Sequence, residues 1–96
     1  MNRDQALTLL ARSKAVLAER FGVTRLALFG STARDSARED SDVDILVTFD
    51  GTADSTRYFG VQFYLEDVLG RPVDLVTDKA LRKELRPYIE REAHYV

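Results

Sequence analysis

Cysteine is absent from this 96-residue chain, which excludes disulfide scaffolds, Cys-ligated zinc, iron–sulfur clusters and thiol catalysis. Stability must come from packing. Histidine occurs once, as His94, third from the end. A Ser-His-Asp triad or a His-rich metal centre would have to be assembled around that terminus, so His94 reads as a surface or terminal packing residue. No apolar run approaches the roughly 20 residues that span a bilayer. The opening Met1-Asn2-Arg3-Asp4 lacks the basic and apolar regions of a signal peptide, and a cytoplasmic location is expected. A basic excess is also missing: 14 Lys and Arg face 16 Asp and Glu, a net charge of −2. That balance argues against non-specific binding to a long nucleic acid, where neutralised phosphates supply the affinity, but leaves a single nucleotide open. The remaining composition is that of an ordinary globular protein, and the length suits one domain over residues 1–96.

Apolar periodicity and punctuation give the elements. Asn2 or Asp4 can cap a helix to about Arg20, with Ala6, Leu7, Leu10, Leu17 and Phe21 at helical spacing and Gly22 to end it. Thr24–Phe29 reads as a buried strand between glycines, Ser31 to about Arg38 as a short helix, and Asp42–Phe49 as a second strand. Ser55 can cap a helix from about Thr56 to Leu69, closed by Gly70. Arg71-Pro72 leads into a third strand, Val73–Thr77. Asp78 caps a last helix from about Lys79 to Ala93, which Pro87 should kink or break near Arg86. The order α-β-α-β-α-β-α is that of an α/β or α+β domain with three strands, the relative direction of the first two left open.

Between Asp35 and Asp54 stand seven acids and one base, Arg38. Asp42 and Asp44, two apart on a strand, leave the same face while Val43, Ile45 and Val47 leave the other. Aspartate is depleted in strands, and like charges about 7 Å apart repel, so the pair is either a hard-cation site or two solvated acids at a strand start. Asp74, in Val73-Asp74-Leu75-Val76, repeats the context on another strand, and three strand-borne carboxylates could converge. Gly30-Ser31 follows a strand and could lend backbone N–H groups and a hydroxyl to phosphate, although such a turn is commonly only a loop. Arg34 could pair with phosphate or be a solvated helix residue. Tyr58, Phe59, Phe63 and Tyr64 form a helical aromatic cluster suited to core, partner interface or base stacking. The basic Lys79–Glu92 segment reads as a solvated face or as a rim toward an acidic partner.

The stretch Leu28-Phe29-Gly30-Ser31-Thr32-Ala33-Arg34, followed by Ser41-Asp42-Val43-Asp44-Ile45-Leu46-Val47, resembles the Gly-Ser-x-Ala-Arg…Ser-Asp-x-Asp signature of the DNA polymerase β-like nucleotidyltransferase superfamily. With Arg71-Pro72-Val73-Asp74-Leu75-Val76 and the ending Glu92-Ala93-His94-Tyr95-Val96, the resemblance covers essentially the whole chain and is nearest to the minimal nucleotidyltransferases. It implies a small mixed-sheet fold in which Gly30 and Ser31 hold a triphosphate, with Arg34 as a further phosphate contact. It implies that Asp42, Asp44 and Asp74 bind Mg²⁺, with two ions expected, and that Asp74 also helps to deprotonate the attacking hydroxyl. It further implies a HEPN-type toxin as hetero-oligomeric partner, with the domain acting as antitoxin by moving AMP from ATP to a tyrosine. The family often has glycine after Ala-Arg, where this chain has Asp35, a change expected to alter the loop and to add negative charge near the site.

The chemistry suits the composition, because nucleotidyl transfer needs positioning and charge neutralisation rather than a Cys or His nucleophile. Two rivals belong to other classes. One is a non-catalytic antitoxin that neutralises its partner by contact. The other is a small-molecule nucleotidyltransferase subunit whose substrate domain a partner chain would supply.

Overall fold

In the computed structural model, which describes residues 1–96, the first helix starts on a reciprocal cap. The Asn2 side chain accepts the Gln5 N–H at 2.8 Å and the Gln5 side chain accepts the Asn2 N–H at 3.1 Å. Helix α1 runs Arg3–Phe21 and ends at Gly22 in the left-handed conformation. The chain continues through β1 (Val23–Phe29), a single helical turn α2 (Gly30–Ala33), β2 (Val43–Phe49), α3 (Ser55–Leu69) and β3 (Val73–Thr77). After a 3-10 turn at Asp78–Ala80 come α4 (Arg86–Glu92) and a two-residue strand β4 (His94–Tyr95).

The sheet order is β3-β2-β1-β4, a mixed sheet. β1 runs antiparallel to both β2 and β4, while β2 and β3 are parallel. The short α2 connection thus joins antiparallel neighbours, and the 15-residue α3 makes the crossover that a parallel pair needs. One sheet face carries Leu26, Leu28, Val43, Ile45, Val47, Val73 and Leu75, packed under α1 and α3 in a core of 16 buried residues. The other face carries a cluster of four, Ala27, Phe29, Leu46 and Leu81, covered by Ile89 and Ala93 from the C-terminal segment. The outer backbone of edge strand β3 is met by α3 side chains. Tyr58 donates to the Leu75 carbonyl, Gln62 to the Val73 carbonyl, and Glu66 accepts the Val73 N–H. An edge so covered is closed to stray strand pairing. No helix is long and apolar enough to cross a membrane.

Several sequence expectations need correction. The helix expected over Ser31–Arg38 is only four residues long. Asp54, not Ser55, caps α3 by accepting the Arg57 N–H. Thr77, not Asp78, caps the segment after β3, and that segment is a 3-10 turn rather than a helix to Ala93. Of the kink or break expected near Arg86 the structure has the break: residues 81–85 are not helical, and Pro87 lies in the first turn of a new helix, α4, where a missing N–H costs nothing. Arg86 then ties the two pieces together through the Asp78 carboxylate (2.8 Å) and carbonyl (2.9 Å). The fourth strand went unread because two residues at the end of a chain carry no periodic signal. Backbone pairing of His94 with Leu28 and Tyr95 with Ala27 creates it, and the Arg25 guanidinium stacks 4.4 Å from the Tyr95 ring centre.

Arg57 is the most heavily used side chain. It donates to the carbonyls of Phe21 (2.7 Å), Thr52 (3.0 Å) and Gly22 (3.2 Å), and its guanidinium lies 5.0 Å from the Phe49 ring centre. One planar fork thereby satisfies the end of α1 and the loop before α3. Arg57→Lys keeps the charge but cannot reach three acceptors, and should lower the unfolding free energy by about 2 kcal/mol. Urea denaturation monitored by far-UV circular dichroism measures the loss; an unchanged midpoint would show that the fork is dispensable.

Candidate functional site

The site forms where β1 ends and where β2 and β3 begin. Parallel pairing sets Asp44 directly opposite Asp74, and antiparallel pairing sets Asp44 opposite Phe29, the residue before Gly30. With Val43, Ile45, Val73 and Leu75 facing the helical core, the period of two sends Asp44 and Asp74 to the other face. Their carboxyl groups are near enough for the charge of Asp74 to act on Asp44. Asp42, just before β2, is exposed and close enough for its charge to act on Asp44.

This crowding has an electrostatic signature. The Asp44 carboxyl is pushed up from 3.8 to about 6, first by burial, then by the negative charge and hydrogen bond of Asp74, then by Asp42; Arg34 opposes the rise. The Tyr58 phenol is pushed up as well, by burial and then by Asp74, and so stays protonated as a donor to Leu75. Oxygen donors under mutual repulsion suit a hard divalent cation. No group of three His, Cys, Asp or Glu side chains stands at metal-holding spacing. The chain therefore offers chiefly the Asp44–Asp74 pair. That fits Mg²⁺, which typically takes one or two carboxylates and completes its shell with water and substrate phosphate.

Gly30 has φ of +75°, a backbone state that disfavours side chains, and a methyl group added there would overlap the Asp44 carboxylate. Glycine is thus required twice, by conformation and by the approach of Asp44. Arg34 is ion-paired with Glu92 at 2.9 Å, and the Gly30 N–H donates to the same carboxylate at 3.1 Å. Ser31 lies in α2 between them, its carbonyl accepting the Ser36 N–H at 2.9 Å.

The structure so brings together Gly30, Ser31, Arg34, Asp44 and Asp74, while Asp42 stays exposed before β2 and does not close with them into the expected three-carboxylate group. Sequence reading missed Glu92 as a member of the group, since nothing local links it to residues about 60 positions earlier.

Asp35 is the one non-glycine residue at positive φ, 58°, a backbone state that glycine adopts without strain. Its carboxylate accepts the Arg3 N–H at 2.7 Å, so the added charge is spent on the start of α1 rather than pointed at the cradle. Phe59 and Phe63 stack on the outer face of α3 and are 49% and 64% exposed, which places them at the surface and not in the core. A separate hollow of about 750 Å³ lies between Phe49, Tyr58, Phe59 and Thr77 at the far ends of β2 and β3, and none of the three aspartates lines it.

Because folding raises the Asp44 pKa, the native state holds more protons than the unfolded chain between about pH 4 and 6, and stability falls as pH rises through that window. Asp44→Asn removes the penalty. In metal-free buffer the variant should be more stable than wild type at pH 8 by about 1 kcal/mol, after allowing for solvent screening of a half-exposed group. At pH 4 the difference should vanish. Equal denaturation midpoints at pH 8 would contradict the carboxylate crowding.

Comparison with known proteins agrees with this geometry. The nucleotidyltransferase domain family model matches residues 10–96. A protein adenylyltransferase, MntA, of Thermococcus cleftensis is 42% identical over 93 residues, covering 97% of this chain and 94% of its own. The solved structure of a proposed minimal nucleotidyltransferase superposes with a TM-score of 0.79 at 41% identity, over 98% of this chain and 95% of that one. A chain of the complex between a tri-AMPylated Shewanella oneidensis HEPN toxin and an MNT antitoxin shares the fold, with a TM-score of 0.60 at 21% identity, over 98% of this chain and 67% of that one. With aspartates paired across parallel strands beside a strand–glycine turn, and a family match over nearly its whole length, the chain belongs to the nucleotidyltransferase domain family and is a nucleotidyltransferase.

Proposed function

We propose that the protein is a Mg²⁺-dependent antitoxin that transfers AMP from ATP to a tyrosine hydroxyl of a HEPN-type toxin partner. The observation that carries the reading is the in-register Asp44–Asp74 pair beside Gly30 and Arg34. The MntA relative and the fold shared with the antitoxin complex supply the acceptor class.

In this reading Gly30 N–H, Ser31 and Arg34 hold the triphosphate, Asp44 and Asp74 are the protein's metal ligands, and Asp42 adds its negative charge beside them. Mg²⁺ would neutralise the phosphate charge that builds up in transfer. The acceptor oxygen forms a bond to the α-phosphorus as the bond to the bridging oxygen of the β-phosphate breaks, and pyrophosphate departs. The acceptor proton passes to Asp74, whose position beside Asp44 keeps carboxylate density where that proton is released. Arg34 offers a planar guanidinium to the phosphate tail. No side-chain nucleophile is needed, in keeping with a chain that has no cysteine and an exposed, strand-bound His94.

The direct test incubates the chain with Mg-ATP and its co-encoded partner and follows the partner's intact mass for AMP additions. Asp74→Asn and Asp44→Asn should each slow transfer by about 100-fold or more while still co-purifying with the partner, because only charge at the reacting centre has changed. Ser31→Ala combined with Asp42→Asn should likewise bind yet fail to rescue growth at low dose. Full rescue by that double variant at wild-type dose would refute catalytic neutralisation.

A further inference from the structure

The cradle formed by Gly30 and Arg34 already holds an anion, and it comes from the chain itself. Glu92, the last residue of α4, accepts the Gly30 N–H on Oε1 at 3.1 Å and an Arg34 Nη1 hydrogen on Oε2 at 2.9 Å. One carboxylate bridges a backbone amide and a guanidinium, as two oxygens of a phosphate would. This is no local capping habit, since the partners are 62 and 58 positions apart. The placement comes from β4: pairing of His94 with Leu28 and Tyr95 with Ala27 fixes the residues after Glu92 alongside β1, and so brings the end of α4 to the exit of β1. The contact is also open to water, with the Arg34 and Glu92 side chains 55% and 31% exposed. An ion pair that open exchanges readily.

We infer that Glu92 is an internal stand-in for phosphate that an incoming triphosphate must displace, and that it thereby sets the affinity of the site for nucleotide. The inference rests on the proposed use of Gly30 and Arg34 as phosphate contacts. Two anions cannot share one amide and one guanidinium without strong repulsion at contact distance. The observed affinity is therefore the intrinsic one reduced by the fraction of molecules in which Glu92 has swung away. Glu92 acts on nucleotide through Gly30 and Arg34, as a positioning residue, and its effect belongs in binding rather than in the transfer step.

The experiment is calorimetric titration of the full chain with Mg-ATP, comparing wild type with Glu92→Gln, Glu92→Asp and Glu90→Gln. Glu92→Gln should bind about two- to tenfold more tightly, the range for releasing a solvent-open ion pair with one further charged hydrogen bond. Glu92→Asp, one methylene too short to bridge both donors, should also tighten binding, and it keeps the test alive if the amide variant folds poorly. Glu90→Gln removes an equal charge two residues away, from a side chain that pairs with Arg86, and should match wild type. In the transfer assay KM for ATP should fall in Glu92→Gln with kcat unchanged. Binding by Glu92→Gln equal to or weaker than wild type overturns the inference and leaves the nucleotide site standing. Equal tightening by Glu90→Gln overturns it as well, since general charge would then suffice. Failure of wild type and Glu92→Gln alike to bind Mg-ATP at millimolar concentration refutes the phosphate cradle itself, and with it both readings.

Discussion

The parallel register of β2 on β3 is the constraint on which the site depends. It sets Asp44 against Asp74 at the spacing of neighbouring strands, and the same backbone hydrogen bonds that hold the sheet hold two carboxylates in each other's field. Repulsion is tolerated because everything around it is fixed independently. Ile45, Val47, Val73 and Leu75 are locked into the core on the opposite face, and a slip of one residue would turn that whole set toward water. The apolar half of each strand thus enforces the charged half. Gly30 completes the arrangement, since only a residue without a side chain leaves Asp44 its room.

This division of each strand into two faces also decides how much of the site is legible in the sequence. Aspartates alternating with Val, Ile and Leu announce a strand with one polar face, and a glycine at the end of an apolar run announces a turn that backbone can approach. Both signals are local, and both lie in the part of the site built by β1, β2 and β3. Signals that depend on distant chain segments were not legible. Glu92 joins Gly30 and Arg34 through a two-residue strand at the C-terminus, and Arg57 collects three carbonyl groups that no periodicity predicts. Pro87 shows a different limit. Its geometry forbids a helix interior and favours a helix start, and whether the chain before it is helical decides between kink and beginning.

Asp35 shows how an exception is absorbed. A left-handed backbone state strains a residue with a side chain, but aspartate is among those that tolerate it best, and here its carboxylate gains the first-turn N–H of Arg3. The departure from glycine is thus matched by a contact that ties the loop after α2 to the start of α1.

The two faces of the sheet are buried very unequally. Sixteen residues make the core under α1 and α3, while four make the cluster beneath the C-terminal segment, one of them, Leu81, supplied by that segment itself. Local opening costs free energy in proportion to the apolar contact it breaks, so the chain after Thr77 forms the low rung of this protein's stability ladder. By that measure it opens more readily than β1, β2, β3 and the two long helices, with β4 leaving as part of it. Amide exchange should divide the molecule along that line, slow through β1, β2 and β3 with the aspartates they carry and fast in the shorter segment after Thr77.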